Sequence, residues 1–144
     1  FLQAMDVSCY SLIRLSHLAE ALMTDGGCLL TTSYYGSEKV IPHYGVMGPV
    51  KSALEGTVRY LAAELGPRNI RVNALSPGPI KTRAAGGIEH FDELLELARS
   101  KSAQHETVCI DCVGAYARFL VSDEARLVTG SIAYVDAGYN IMGG

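Results

Sequence analysis

The side chains with the clearest chemical potential in this sequence are the phenol of Tyr44 and the ammonium of Lys51. They lie seven residues apart, and at about 3.6 residues per turn this spacing puts both on one face of a helix. A cation near a phenol lowers the phenol's pKa and can also hold a hydroxyl of a bound molecule. The spacing therefore predicts a pair that acts together on one ligand.

A second tyrosine, Tyr34, stands ten residues before Tyr44, where a predicted strand ends. In an open α/β sheet, ligands bind outside the carboxyl ends of the strands. We therefore expect the strand end, the following loop and the start of the next helix to meet in one crevice. Because proline is tolerated only in the first turn of a helix, Pro49 predicts that this helix begins no earlier than about residue 45. Tyr44 then lies at the lip of the crevice.

The elements that position these residues alternate along the chain. Apolar residues at every third or fourth position predict helices over residues 2–24, 45–65 and 109–122, with a helical excursion over 82–105. Short apolar runs predict buried strands at 28–32, 70–75 and 131–135. The turn at 76–79 is expected to break all regular structure. This order predicts an α/β fold with a parallel sheet.

Length and charge limit what the chain can be. Its 144 residues are enough for a single domain with a core of its own. The formal net charge of -3 offers no basic footprint for nucleic acid. No apolar run is long enough to span a bilayer, so we expect no membrane partner.

The four cysteines give a weaker signal. Cys9 and Cys28 lie among apolar residues and are expected to be small core side chains. Cys109 and Cys112 have the spacing of a redox pair or of half a metal site. Because no second Cys or His pair stands at ligand spacing, we expect no metal, and we expect reduced thiols in a cytosolic protein.

The motifs around these residues resemble one family. Ser33–Gly36, Tyr44 and Lys51, followed by Arg71–Thr82, resemble the enoyl-acyl-carrier-protein reductases of bacterial fatty-acid synthesis. This family is a divergent branch of the short-chain dehydrogenase/reductases. Ordinary members use Tyr-(x)3-Lys, whereas the wider Tyr-(x)6-Lys spacing marks the enoyl reductase branch. The resemblance runs along essentially the whole chain, as far as Val135–Tyr139.

The resemblance implies a Rossmann-like doubly wound parallel sheet, of which residues 1–144 would form the second half as one domain. The family's first half, with its Gly-rich phosphate loop, has no counterpart in the sequence. We therefore expect the chain to be the C-terminal portion of a longer cytoplasmic reductase. The helices at 2–24 and 46–65 resemble those with which the family builds homotetramers.

The implied reaction is reduction of the trans-2 double bond of an enoyl thioester carried on acyl carrier protein. A nicotinamide cofactor, NADH or else NADPH, would supply the hydride. The catalytic residues implied are Tyr34, Tyr44 and Lys51. The cofactor-binding residues implied are Ser33, Lys51, Gly78, Pro79, Ile80 and Thr82. The residues implied to border the substrate are Tyr34, Tyr44, Ala84, Ala85 and Phe91.

Two other functions remain open at this point. A short-chain dehydrogenase/reductase that acts on a carbonyl would have the same fold, but it would place a lysine at position 48, where the sequence has Gly48. A non-catalytic fragment that serves only in assembly is the second alternative, because the phosphate loop is missing from these residues.

Overall fold

A parallel three-stranded sheet forms the centre of the computed structural model, which describes residues 1–82 and 91–143. The strands lie in the order β1 (Gly27–Thr32), β2 (Ile70–Pro77) and β3 (Ile132–Val135). Both pairings are parallel, with Thr32 opposite Leu75 and Pro77 opposite Val135. The carboxyl ends of all three strands therefore share one edge of the sheet.

Helices cover both faces of this sheet. They are α1 (Leu2–Met5), α2 (Ser11–Glu20), α3 (Met47–Leu65), α4 (Phe91–Lys101) and α5 (Ile110–Val121). A π-helical turn at Asp6–Tyr10 joins α1 and α2 into one continuous segment. The predicted α/β class and parallel sheet are thus confirmed in the described residues.

Alternation along β2 decides which helix packs on which face. Ile70, Val72 and Ala74 are fully buried and form one core with the apolar side of α3. Leu75 belongs to a second core with Leu120 of α5. A third cluster packs the α1–α2 segment against Val50 and Leu54 in the first half of α3. The strand that leads to the candidate site is therefore fixed from both sides.

Polar side chains of β2 hold the final part of the chain. Asn73 is fully buried, and its amide donates to the carbonyl of Val128 at 2.8 Å while its oxygen accepts from Ser131 N at 3.0 Å. Arg71 donates to the carbonyls of Leu120 at 2.6 Å and Ser122 at 3.1 Å. A cation at the carboxyl end of α5 complements the helix dipole. These bonds connect α5 and the entry to β3 with the middle of the sheet.

Several predicted boundaries are wrong. The first helical segment ends at Glu20 rather than near residue 24, and the turn that follows reaches Gly26 with φ of +83°. A Cβ at Gly26 would lie 2.5 Å from the carbonyl oxygen of Asn69, so this close approach requires glycine. Strand β2 continues to Pro77 instead of ending at 75. Proline, which cannot donate to a sheet ladder, is tolerated there because the pairing of β2 with β1 has already ended at Leu75, opposite Thr32.

The cysteines differ from expectation in one respect. Cys9 is buried and Cys28 half-buried, and both are free. Cys109 and Cys112 are joined by a disulfide rather than standing as two thiols. Cys109 is the N-cap of α5, and the first helical turn brings the two Cα atoms to 5.3 Å, a separation that disulfides commonly span.

The predicted excursion over 82–105 contains α4, whereas Ala84 and Ala85 lie outside the described residues. Within residues 1–82 and 91–143, no helix combines the length and the apolar character needed to cross a membrane.

Asn73→Leu tests the polar connection between β2 and β3. The substitution leaves Val128 O and Ser131 N without their buried partner, and we expect the free energy of unfolding to fall by at least about 2 kcal/mol. Urea denaturation of the purified protein measures this change. Gln3→Ala, at an exposed helical position, is the control and should stay within about 0.5 kcal/mol of the wild type. Equal stability of both variants would contradict a role for Asn73 in holding the sheet.

Candidate functional site

A cavity of about 390 Å³ opens at the carboxyl edge of the sheet. It lies between the loop after β1, the turn before α3, the loop after β2 and the start of α4. Its lining residues are Ser33, Tyr34, Ile41, Pro42, His43, Tyr44, Pro77, Gly78, Pro79, Ile80, Thr82, Phe91 and Leu94. This is the crevice that the order of strands and helices predicts.

The cavity brings together most of the residues singled out from the sequence. These are Ser33, Tyr34, Tyr44, Gly78, Pro79, Ile80, Thr82 and Phe91. Lys51 is not part of the lining, but its ammonium donates to the carbonyl of Thr32, the last residue of β1, at 2.8 Å. Ala84 and Ala85 fall outside the described part of the chain.

Tyr44 does not share a helix face with Lys51, so this part of the sequence argument is wrong. Helix α3 begins at Met47, and Tyr44 lies in the preceding turn. Pro49 explains the boundary, because it has no N–H for the carbonyl of Gly45 and its ring would clash with that carbonyl in a longer helix. Positive φ values at His43 (63°) and Gly45 (54°) turn the backbone on either side of Tyr44. The turn, rather than helical periodicity, directs Tyr44 to the cavity.

Tyr34 and Tyr44 form an edge-to-face pair with ring centroids 5.0 Å apart and an interplanar angle of 66°. Gly36 makes this pair possible. A Cβ at position 36 would lie 2.6 Å from Cδ1 of Tyr44 and 3.3 Å from Cδ1 of Tyr34. A Cβ at Gly48, in the first turn of α3, would in turn lie 3.1 Å from the carbonyl oxygen of Gly36. Two glycines thus allow the loop, the ring and the helix to approach closely.

The phenols keep their protons to a higher pH than free tyrosine. Burial raises the pKa of Tyr44 to about 12, and the neighbouring Tyr34 adds to the effect. Burial, with a smaller contribution from Tyr139, also raises the pKa of Tyr34. The expectation that Lys51 lowers the pKa of Tyr44 is therefore wrong for this structure, because desolvation of the phenolate dominates. Tyr44 is a neutral hydrogen-bond donor near neutral pH.

Lys51 is held in a mixed environment. Burial lowers the pKa of its ammonium, whereas the carboxylate of Glu55, one turn further along α3, opposes that change. The ammonium therefore stays at the end of β1 with one carbonyl acceptor and one nearby negative charge. A group in this position can donate to hydroxyls of a molecule bound at the sheet edge.

Glu55 is the residue that the sequence analysis missed. Its side chain is only 3% exposed, and its Oε1 accepts hydrogen bonds of 2.5 Å from the hydroxyls of Ser33 and Ser37. These two serines flank the segment that carries Tyr34. One helical carboxylate therefore fixes both ends of the loop next to the cavity.

The end of β2 and the loop that follows it offer few backbone donors. Pro77 and Pro79 have no N–H, and the N–H of Gly78 donates to the carbonyl of Val135 at 3.0 Å. Among the described residues of this loop, Ile80 supplies the first N–H that a ligand in the cavity could use. Neither in residues 1–82 nor in 91–143 do three or more His, Cys, Asp or Glu side chains cluster so as to hold a metal ion.

Gly36→Ala tests whether the tyrosine pair depends on the close approach at Gly36. The added methyl group must displace the Tyr44 ring, so we expect a loss of stability of about 1–3 kcal/mol and separation of the two rings in a crystal structure. The matched control is Gly56→Ala in α3, where a Cβ would meet nothing within 4 Å. That control should be neutral or slightly stabilising. An unchanged ring pair in Gly36→Ala would contradict the argument.

The raised pKa of Tyr44 predicts a particular dependence of stability on pH. The unfolded tyrosine ionises near its ordinary value of 10.0, whereas the folded one ionises near 12. The stabilising contribution is therefore complete below pH 10 and is lost as the pH rises toward 12. Denaturant unfolding across this range should show a steeper loss for the wild type than for Tyr44→Phe. Parallel curves for the two proteins would contradict the assignment.

Comparisons with known proteins agree with this geometry. The family model described as Enoyl-(Acyl carrier protein) reductase matches residues 1–140. The chain is 50% identical over 143 residues to the enoyl-[acyl-carrier-protein] reductase [NADH] FabI of Rickettsia typhi, covering 99% of this chain and 55% of that protein. It is also 50% identical to enoyl-[acyl-carrier-protein] reductase [NADH] 1 of Rhizobium meliloti, again with 99% of this chain covered and 53% of the relative. The chain thus spans about half the length of the curated relatives it matches.

Solved structures give the same result for the fold. The Anaplasma phagocytophilum reductase, a complex with NAD, superposes with a TM-score of 0.94 at 48% identity, covering 99% of this chain and 55% of that one. The Plasmodium berghei enoyl-acyl-carrier-protein reductase with triclosan superposes with a TM-score of 0.96 at 40% identity, covering 100% and 52%. The Rossmann-like architecture expected from the sequence is therefore confirmed, and the chain belongs to the enoyl-(acyl carrier protein) reductase family.

Proposed function

We propose that this chain provides the substrate and nicotinamide end of a reductase that saturates the trans-2 double bond of enoyl thioesters in fatty-acid synthesis. The observation that carries the proposal is the cavity at the carboxyl edge of the sheet. It joins a neutral phenol, a second tyrosine and a proline-rich loop, with an ammonium at the adjacent strand end. We propose that the reaction is catalysed by a protein that contains this chain together with the remaining part of the family's fold.

The residues around the cavity fit a nicotinamide cofactor. Lys51 offers donors for ribose hydroxyls, Ile80 a backbone N–H for the carboxamide, and Thr82 a hydroxyl for a phosphate oxygen. Ser33 is buried, and its hydroxyl proton is committed to Glu55, so it can only accept from a ligand. The bound cofactor supplies the hydride for the β carbon of the substrate. We propose NADH, because the matched relatives carry NADH in their names; NADPH is the alternative.

Tyr44 is proposed to stabilise the negative charge that develops on the thioester oxygen. When hydride adds to the β carbon, electron density moves to that oxygen, and a hydrogen-bond donor aimed at it lowers the barrier. A phenol with its pKa raised to about 12 keeps its proton for this role at neutral pH. Tyr34, packed against Tyr44, is proposed to orient the ring and line the substrate site.

The acyl chain is proposed to lie against Phe91, Ala84 and Ala85. Phe91 and Leu94 give the cavity an apolar wall where α4 begins, and apolar lining suits a hydrocarbon. Acyl carrier protein is proposed as the macromolecule that delivers the thioester.

The remaining proposals concern the whole protein. We propose that residues 1–144 act as a single domain, the C-terminal part of the reductase fold, within a homotetramer. Exposed apolar side chains on the α1–α2 segment and on α3 support association, with Leu2 81%, Leu15 63% and Tyr60 82% exposed. A cytoplasmic location is proposed as well. The free thiols of Cys9 and Cys28 agree with a reducing compartment, in which the Cys109–Cys112 disulfide would form only transiently.

Tyr44→Phe tests the donor role in the complete reductase. Loss of one donor to a developing oxyanion typically costs about 10²–10³ in kcat, and we expect a loss in this range with little change in cofactor affinity. The measurement is NADH oxidation with a crotonyl thioester. Tyr35→Phe is the control, because Tyr35 does not line the cavity. Full activity of Tyr44→Phe would refute its role, and faster turnover of simple ketones would favour the carbonyl-reducing alternative.

Lys51→Ala tests the ammonium at the strand end. Because it removes charged hydrogen bonds to the cofactor, we expect the Kd for NADH to rise about tenfold or more. Fluorescence titration of NADH measures the affinity, and NADPH titrated in parallel shows which cofactor binds better. Lys101→Ala, at an exposed position outside the cavity, should bind NADH as the wild type does. Unchanged affinity in Lys51→Ala would remove this residue from the cofactor site.

A further inference from the structure

The disulfide between Cys109 and Cys112 takes no part in the proposed reaction. Both side chains are exposed, and neither lines the cavity at the sheet edge. The other two cysteines are free, with Cys9 only 4% exposed. The chain therefore presents one sulfur–sulfur bond to solvent.

This disulfide contributes little as a structural tie. Only two residues separate the cysteines, and a disulfide that closes so short a loop restricts the unfolded chain least. The helical turn already holds the segment, because Val113 N donates to the carbonyl of Cys109 at 3.3 Å and Cys112 N donates to its Sγ at 3.1 Å. The bond's chemistry, rather than its contribution to stability, is what distinguishes the site.

The first turn of α5 favours negative charge on one of the two sulfurs. Cys109 is the N-cap of this 12-residue helix, where backbone N–H groups point toward its side chain. The Cys112 N–H already donates to Sγ of Cys109. A thiolate at a helix N-terminus is stabilised by these donors and by the helix dipole. Cys109 is therefore the better leaving group when the disulfide is opened.

We propose that Cys109 and Cys112 form a thiol–disulfide exchange site whose substrate is a dithiol reductant. A thiolate of the dithiol attacks Sγ of Cys112; the Cys109–Cys112 bond breaks, and its electron pair leaves on Sγ of Cys109. The second thiolate of the reductant then attacks the mixed disulfide and releases Cys112. The protein gains two electrons from the dithiol and two protons by way of solvent, and the reductant leaves as its own disulfide.

Because Cys109 and Cys112 lie close to the cavity loop, enzyme activity is a poor measurement of exchange at this disulfide. Val108, which precedes Cys109, packs against Gly78 of the cavity loop, since a Cβ at position 78 would lie 3.0 Å from Cγ2 of Val108. Changes at Cys109 could alter turnover through this contact alone. Chemical labelling of the cysteines is therefore a cleaner test than enzyme activity, and its outcome does not depend on the proposed function.

The test uses the whole folded protein, equilibrated with glutathione disulfide, with or without later dithiothreitol, and then alkylated with iodoacetamide. Peptide mass spectrometry should find Cys109 and Cys112 unlabelled without dithiothreitol and fully labelled after it, while buried Cys9 stays protected. Labelling of the pair without dithiothreitol would overturn the proposal. So would labelling that appears only when Cys9 is labelled too, because exchange would then require unfolding.

Single variants test the separate roles of the two sulfurs. In Cys112→Ser, the lone Cys109 should react with iodoacetamide at neutral pH about tenfold faster than the lone Cys112 does in Cys109→Ser. Serine is a favoured N-cap, so Cys109→Ser keeps the start of α5, which circular dichroism can verify. Cys28→Ser is the control and should retain complete exchange at the pair. Equal or reversed rates would overturn the assignment of Cys109 as the leaving sulfur.

Discussion

The carboxylate of Glu55, buried inside α3, is the interaction on which the candidate site depends. A buried charge costs several kcal/mol unless hydrogen bonds compensate for the lost water. Here the compensation comes from the hydroxyls of Ser33 and Ser37, each 2.5 Å from Oε1. Because Ser33 directly follows β1 and Ser37 ends the turn Tyr35–Ser37, the helix, the strand end and the loop cannot move independently without leaving a buried charge unpaired.

The same constraint reaches Tyr44 through backbone contacts. With the ends of the loop fixed, Gly36 lies under the Tyr44 ring and its carbonyl faces Gly48 of α3. Ser52 adds a further link, since its hydroxyl donates to the carbonyl of Ser37 at 2.6 Å. The tyrosine pair is thus positioned by hydrogen bonds and by missing Cβ atoms, with no direct bond from either phenol to Lys51 among the hydrogen bonds of the described residues. Positioning of this kind holds a donor at a fixed place before a substrate arrives.

The sequence predicted the order of elements and the crevice because both follow from local rules. Hydrophobic periodicity located α3 and β2, and Pro49 limited the start of α3. The shared helix face of Tyr44 and Lys51 failed because a seven-residue spacing was counted across a helix start. The predicted lowering of the Tyr44 pKa failed because burial, which depends on the packing of distant segments, raises that pKa, and Lys51 is not among the groups that shift it.

Glu55 was missed for a related reason. Four residues after Lys51, it resembles the second member of an exposed ion pair. However, Val58 and Ala62, three and seven positions further on, belong to the buried stripe. An acidic residue at a helical position that continues the buried apolar stripe is the sequence signal that could have identified Glu55.

Burial acts in opposite senses on the two groups closest to the proposed chemistry, and this separates their roles. It raises the pKa of the Tyr44 phenol and lowers that of the Lys51 ammonium, because desolvation disfavours the charged form of each. Only Lys51 has a carboxylate, that of Glu55, opposing the effect. The arrangement therefore maintains a neutral donor in the cavity and supports a cation at the adjacent strand end. The proposed roles need these two different protonation preferences: Tyr44 would respond to developing charge as a neutral donor, and Lys51 would hold a dinucleotide as a cation.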